Sequence, residues 1–250
     1  MTTSPIPYGG RTFEINFDFI DHKLYISASD GGIARIDLYA RSVADLYKEI
    51  FAKLAELDIE VKINPMPCEI DTDIRLDEDN LHASYDPEYA NRFWRVLAGA
   101  DRVFKRFRGG FIGKCSPVHF FWGAPDLAVT RFSGRRAPMH PGGVPHLPDR
   151  VTREAYSHEV SSLGLWPGNE QMPETVFYSY AYPEPAGYRD ANVLPGAATF
   201  NSDFGEFILP YEAVRTSASP DDTLLKFAQS TYEAAANCGG WDRAELERKF

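Results

Sequence analysis

Residues 12–38 read TFEINFDFIDHKLYISASDGGIARIDL, and residues 42–57 read SVADLYKEIFAKLAEL. Apolar and polar residues alternate at the start of the first stretch, which predicts a half-buried strand. Two more apolar runs flank Asp30-Gly31-Gly32, a sequence that suits a hairpin turn. In the second stretch the apolar residues recur at helical spacing behind Ser42, which is a common helix-capping residue type. Strands followed by an amphipathic helix predict an α+β fold, with antiparallel sheets covered by helices.

The rest of the chain continues these patterns. Ile59, Val61 and Ile63 alternate with polar residues and predict a short strand. Asp86-Pro87 opens a helix that Gly109-Gly110 can end. A long loop rich in Pro and Gly spans residues 134–148, and compact domains seldom keep such loops without a use. Further strands are predicted at 118–122, 127–132, 176–182 and 207–209, and a last helix opens at Ser219 and closes at Gly239.

These elements predict three parts. Residues 1–83 form an N-terminal sheet-plus-helix half, residues 84–115 a connecting helix, and residues 116–250 a C-terminal sheet-plus-helix half that carries the candidate site. The order of strand, turn, strand and helix occurs in residues 24–57 and again in residues 199–236. The two halves are therefore either related units or chance recurrences of a common supersecondary unit.

Composition excludes several classes of protein. The chain has 250 residues, 44% hydrophobic and 25% charged, which is enough for one domain or two packed halves. A net charge of −10 opposes binding to nucleic acid or to an anionic membrane. Cys68, Cys115 and Cys238 are odd in number and form no CxxC pair, which favours a reducing compartment. No stretch reaches the roughly 18 apolar residues of a membrane helix, so we expect a cytoplasmic protein.

Several long strings carry a family resemblance: SPIPYG at 4–9, RSVA at 41–44, SPVHFFWG at 116–123, TRFSGR at 130–135, YSHEVSS at 156–162 and QSTYEAA at 229–235. On these strings the chain resembles domain-of-unknown-function family 5996, a family of uncharacterised bacterial proteins. The resemblance brings no activity with it. It implies a further N-terminal segment, rich in Trp and His, that this chain lacks, so that an edge of the sheet is expected to stay unpaired.

A candidate site is predicted in the C-terminal half, where polar and aromatic residues cluster around the long loop. We expect a small-molecule-binding protein or an enzyme with a pocket for an anionic ligand. Imidazole and carboxylate groups can move protons near neutral pH, and guanidinium groups can grip an anion with paired hydrogen bonds. The expected catalytic residues are His119, His158 and Glu159, and the expected ligand-binding residues are Trp122, Arg131, Arg135, Tyr156, Trp166 and Tyr178.

Other interpretations stay open for the same residues. The arginines can form salt bridges, and the aromatic residues can pack a core. His140, His146, His158 and Glu159 are dense enough for a metal-dependent hydrolase, although they match no zinc signature and predict no particular cofactor. A third possibility is a non-catalytic interaction module, in which an unpaired sheet edge receives another chain.

Overall fold

The computed structural model of the protein describes residues 1–70, 72–170 and 172–248. The chain divides into two compact units, Met1–Val96 and Leu97–Phe250, and the division falls inside the helix predicted as a connection. Each unit contains one antiparallel sheet, with four strands in the first and six in the second. Together with the helices, these sheets confirm the α+β fold class.

The first unit is a four-stranded meander with one long helix. Its strands lie in the order β1-β2-β3-β4, and the turn between β3 and β4 uses Gly31 at a φ of +96°, in the left-handed region that favours glycine. Ser42 caps the helix as predicted, because its hydroxyl accepts a hydrogen bond from the Asp45 amide at 3.1 Å. The elements are β1 Ile6–Tyr8, β2 Arg11–Asp18, β3 Lys23–Ala28, β4 Ile33–Asp37 and α1 Val43–Glu56.

The prediction of a strand at residues 59–63 is wrong, since this segment pairs with no strand. Ile59 is buried in the core of the first sheet, while Ile63 is 55% exposed. The Glu60 amide donates its hydrogen bond to the Tyr8 hydroxyl at 2.9 Å rather than to a strand backbone. Alternation here reflects one anchoring side chain on an irregular segment.

The second unit is built on a six-stranded sheet in the order β5-β6-β7-β8-β10-β9. The helix α2, Pro87–Gly109, begins in the first unit and ends in the second. The other elements are β5 His119–Phe121, β6 Asp126–Arg136, α3 Asp149–Ala155, β7 His158–Trp166, β8 Val176–Tyr182, β9 Thr199–Asn201, β10 Glu206–Pro210, α4 Tyr211–Arg215, α5 Pro220–Cys238 and α6 Arg243–Leu246.

The six-stranded sheet has two chemically different faces, because successive strand residues point to opposite sides. We call one the helix-covered face; there Phe177 contacts Phe104 of α2, with ring centroids 6.3 Å apart, and α5 packs on β7 and β8. The helix-covered face consists of Leu127, Val129, Arg131, Leu163, Leu165, Phe177 and Leu209. We call the other the tyrosine face; it includes Asp126, Thr130, Ser162, Gly164, Trp166, Tyr178, Tyr180, Tyr182 and Glu206.

The repeated order of elements is present, but the two sheets pair differently. In the first unit, the leading strand of the hairpin, β3, lies beside the preceding strand β2. In the second unit it is the trailing strand, β10, that lies beside β8, and β9 is at the edge. A short helix, α4, also separates β10 from α5. The pairing therefore differs from the pattern that a simple duplication would leave.

Across the described ranges, the structure contains no helix that is both long enough and apolar enough to span a membrane.

Candidate functional site

The centre of the tyrosine face is the crossing of Tyr178 over β7. Tyr178 and Gly164 lie opposite each other in the sheet, and Gly164 lies opposite Ala128. A Cβ atom at Gly164 would stand 2.2 Å from Cζ of Tyr178, so only glycine leaves room for the ring. The ring thus crosses the β7 backbone, and its hydroxyl donates a hydrogen bond to Oδ2 of Asp126 on β6.

A second row of polar groups lies beside this crossing. The hydroxyls of Thr130 and Ser162 are hydrogen-bonded at 2.9 Å across β6 and β7. The Tyr180 hydroxyl is hydrogen-bonded at 2.8 Å to that of Tyr156, which follows α3. The rings of Tyr178 and Tyr180 are nearly parallel, at 14° and 6.2 Å between centroids. The tyrosine face therefore presents stacked rings whose hydroxyls are already oriented.

Glu206 adds a carboxyl group with an unusual proton affinity. It precedes Phe207, which lies opposite Ser179, and burial together with the negative charge of Asp126 raises its pKa to about 7. Within the described ranges, its side chain takes part in no hydrogen bond or ion pair. Burial also raises the pKa of Tyr178 and of Tyr180, which keeps both hydroxyls protonated. Such perturbed groups on one surface are typical of functional sites.

One end of the tyrosine face is closed by the long loop. The His140 ring lies 5.0 Å from the rings of both Tyr156 and Tyr182. Its Nδ1 accepts a hydrogen bond from the Gly142 amide at 3.0 Å, so neutral His140 carries its proton on Nε2. Arg153 donates to the carbonyl oxygen of Pro141 at 3.1 Å and fixes the loop. The loop is thereby held as a wall beside the tyrosines.

Four of the predicted site residues lie on or beside the tyrosine face. His119 is opposite Ala128, in the same row as Gly164 and Tyr178. Trp166 lies opposite Val176 on this face, and Tyr156 joins it through its hydrogen bond to Tyr180. His158 lies opposite Arg136, where β6 ends. The structure therefore brings His119, Tyr156, Trp166 and Tyr178 together, with His158 at the margin.

Arg131 lies on the opposite, helix-covered face, which corrects its predicted place in a ligand pocket. Its side chain is only 2% exposed, and its guanidinium carbon lies 3.5 Å from the ring centroid of Phe107 and 4.2 Å from that of Tyr232. One guanidinium nitrogen donates to the Phe107 carbonyl oxygen. Burial lowers the pKa of Arg131 to about 10. The group is a buried cation held by aromatic rings.

Glu159 and Arg135 form a pair away from the tyrosines. Neighbouring strand residues point to opposite faces, so Glu159 cannot act together with His158. Oε2 of Glu159 accepts hydrogen bonds from the Ser133 hydroxyl at 2.8 Å and from Nη2 of Arg135 at 2.7 Å. The same nitrogen donates to the carbonyl oxygen of Gly239 at 2.5 Å. Arg135 therefore fastens the end of α5 to β7.

Trp122 belongs to the turn after β5, beyond either face. It is 49% exposed, and its ring meets that of Phe120 edge to face at 5.2 Å. Of the proposed metal ligands, His140 stacks on tyrosines, while His146 sits in the loop with a φ of +57°. In the described part of the chain, no three His, Cys, Asp or Glu residues are arranged to hold a metal ion.

Comparison with known proteins gives a family but no activity. The model of a family described as a family of unknown function (DUF5996) matches residues 1–248. The chain belongs to this family. No curated protein and no solved structure matches the chain. For this DUF5996 member, the site itself must therefore supply the functional argument.

The sequence prediction left out Asp126, Tyr180 and Glu206 as site residues. The signal for Tyr180 was present, because it alternates in phase with Tyr178 and Tyr182. Nothing local marked Glu206, since its importance follows from the β8 and β10 pairing that places it on the same face as Tyr178. Asp126 likewise depends on a glycine 38 positions away, Gly164, which lets the Tyr178 ring reach it.

Proposed function

We propose that this protein binds a small molecule on the tyrosine face, and that the ligand donates hydrogen bonds to Asp126 and Glu206. The observation that carries the proposal is the pair of carboxyl groups beside the stacked rings of Tyr178 and Tyr180. Flat rings give apolar contact, and a few convergent polar groups give orientation, as in many ligand sites.

The polar groups of this face determine which ligand suits it. Carboxylates accept hydrogen bonds, and Glu206 has no protein donor among the described residues. A hydroxyl or amino group on a ligand would supply that donor. Proton exchange with the ligand is also accessible, because the pKa of Glu206 is raised to about 7.

An anionic ligand, expected from Arg131 and Arg135, is less well supported. Arg131 is enclosed by aromatic rings, and Arg135 donates to Glu159 and to the end of α5. Two carboxyl groups on the tyrosine face would repel an anion. We therefore propose a neutral or cationic ligand with hydrogen-bond donors in place of the anion.

Ligand-observed NMR with a panel of small fragments tests this function. The panel holds matched neutral, cationic and anionic compounds of one ring each, and the proteins are the parent and the double variant Tyr178→Phe/Tyr180→Phe. We expect donor-bearing fragments to bind the parent and to lose about tenfold in affinity in the double variant, because it removes the Tyr178 hydroxyl whose hydrogen bond orients the Asp126 carboxylate and the Tyr180 hydroxyl beside it.

The matched control is Tyr25→Phe, a tyrosine of the other sheet, which should leave fragment binding unchanged. Equal binding of every fragment to the parent and to the double variant would exclude the tyrosine face as the ligand site. A preference for anionic fragments would restore the expectation drawn from the arginines.

A further inference from the structure

A cavity of about 220 Å³ lies on the other side of β7 and β8, where α5 ends. Its walls include Ala181, Pro183, Pro185, Cys238 and Trp241, with Glu159 as its carboxyl group. It is smaller than pockets for drug-sized ligands, so its occupant must be about the size of one ring. Val160 and Tyr182, which alternate in phase with the tyrosine face, also line it, but Tyr178, Tyr180, Asp126 and Glu206 do not.

The lining of this cavity combines flat apolar side chains with polar groups in about equal measure. Trp241 is buried, with 9% of its surface exposed, and the two prolines add rigid rings beside it. Ring faces of this kind favour a compact apolar body, which would gain free energy by leaving water.

Glu159 supplies one directional contact. Its Oε2 atom is used by Ser133 and Arg135, whereas Oε1 accepts no hydrogen bond within the described ranges. Its side chain is 19% exposed, so Oε1 is an acceptor with limited access to water. A ligand carrying one donor would satisfy it.

The charges around the cavity oppose a charged ligand of either sign. Arg135 compensates Glu159 with two hydrogen bonds, at 3.0 Å from Nε and 2.7 Å from Nη2. An anion would be repelled by Glu159 and by the negative end of the α5 dipole. A cation would be repelled by Arg135, whose guanidinium group is hydrogen-bonded to the Glu159 carboxylate.

We propose that this cavity is a second ligand site, which takes a small neutral alcohol with a ring-sized apolar body. The body packs between Trp241 and the prolines, and the hydroxyl donates to Oε1 of Glu159. The site is separate from Asp126, Tyr178, Tyr180 and Glu206 and does not depend on the function proposed for them.

Cys238 gives a direct readout, because this exposed thiol lines the cavity. The full-length protein is treated with iodoacetamide, and mass spectrometry follows the labelling of Cys238 and of Cys68, an exposed thiol in the other unit. The probes are benzyl alcohol, toluene, benzylamine and benzoate, which share one ring and differ in donor and charge.

We expect benzyl alcohol to slow the labelling of Cys238 but not of Cys68. It should act at a concentration about tenfold lower than toluene, since a hydrogen bond to a carboxylate is worth at least that factor. Benzylamine and benzoate should protect less than benzyl alcohol. Equal protection by all four probes, better protection by a charged probe, or no protection by any would overturn the proposal.

A cavity-filling variant tests whether the protection of Cys238 arises from binding in this cavity. Ala181→Leu should abolish the protection of Cys238, while Ala197→Leu, at an exposed alanine outside the cavity, should retain it. If thermal melting shows that Ala181→Leu is unfolded, Ala181→Val takes its place with partial loss expected. Protection that survives in the folded filling variant contradicts the site. The Tyr178→Phe/Tyr180→Phe variant should keep full protection, which separates this site from the proposed function.

Discussion

The two faces of the six-stranded sheet use the same strands for different purposes. On the helix-covered face, strand residues pack against α2 and α5, and the buried cation Arg131 is enclosed by aromatic rings. On the tyrosine face, Tyr178, Tyr180 and Glu206 stay partly exposed and keep hydroxyl and carboxyl groups close together. The difference shows that one strand can serve both stability and ligand chemistry, because its residues alternate between two environments.

The largest effect is expected on the helix-covered face. Arg131→Ala should lower the free energy of unfolding by about 3–5 kcal/mol, because it leaves a cavity between Phe107 and Tyr232. Arg131→Met should cost no more than about 1 kcal/mol, since it fills the space without a buried charge. Urea denaturation measures both. If Arg131→Ala proves as stable as the parent, the aromatic enclosure does not hold this part of the core.

On the tyrosine face, Glu206 should make stability depend on pH. Its pKa is raised from 4.5 to about 7 in the folded state, so the folded protein binds this proton more tightly than the unfolded chain. Stability should therefore decline as pH rises from about 4.5 to about 7 and then level off. Glu206→Gln should remove that decline and gain roughly 2–3 kcal/mol at pH 8.

Thermal unfolding across this pH range tests the expectation, with Glu174→Gln as the control at an exposed carboxylate. Parallel pH profiles for the parent and Glu206→Gln would mean that the folded state does not destabilise the charged form of Glu206.

The crossing of Tyr178 over Gly164 gives a third comparison. Gly164→Ala should cost about 2 kcal/mol, because its Cβ atom would stand 2.2 Å from Cζ of Tyr178 and push the ring off Asp126. In a Tyr178→Ala background the same change should cost much less, since the clash is gone. Chemical denaturation of the parent, the two single variants and the double variant measures the coupling between the two positions. If the free-energy costs of the two changes simply add, the Tyr178 ring does not cross over Gly164.

The smallest effect is expected where Arg135 joins β6 to the end of α5. Arg135→Lys should cost about 1 kcal/mol, because a single ammonium group cannot reach both Glu159 and the Gly239 carbonyl oxygen with a planar fork. Arg136→Lys, at the exposed next residue, is the control and should change little. Thermal melting distinguishes the two variants. Equal melting temperatures would mean that the hydrogen bonds of Arg135 to Glu159 and Gly239 contribute no stability.

The sequence predicted much of the fold because local patterns carry it. Alternation located the strand at 176–182, and Ser42 marked the start of α1. The edge strand β1, with three residues, was missed because it is too short for a period to appear. The segment at 59–63 failed for the opposite reason, since it has the period but no strand to pair with.

The site was only partly predictable, because its contacts depend on strand register. Tyr178 and His119 could be chosen as candidates from their residue types and neighbours. Local sequence could not place Arg131 on the other face, since Arg131 and Thr130 look equally suitable until β6 pairs with β7. The role of Glu206 likewise arises from the approach of β10 to β8, which no local pattern encodes.

The irregular stretch of β6 near its end sets a rule for how this chain can vary in length. Phe132 lies opposite Val160 and Arg136 opposite His158, so β6 advances by four residues where β7 advances by two. The surplus is an even number, and the inside-outside parity of β6 is therefore the same before and after it. Insertions or deletions of two residues at this point would preserve that parity. A change of one residue would exchange the environments of every side chain beyond it.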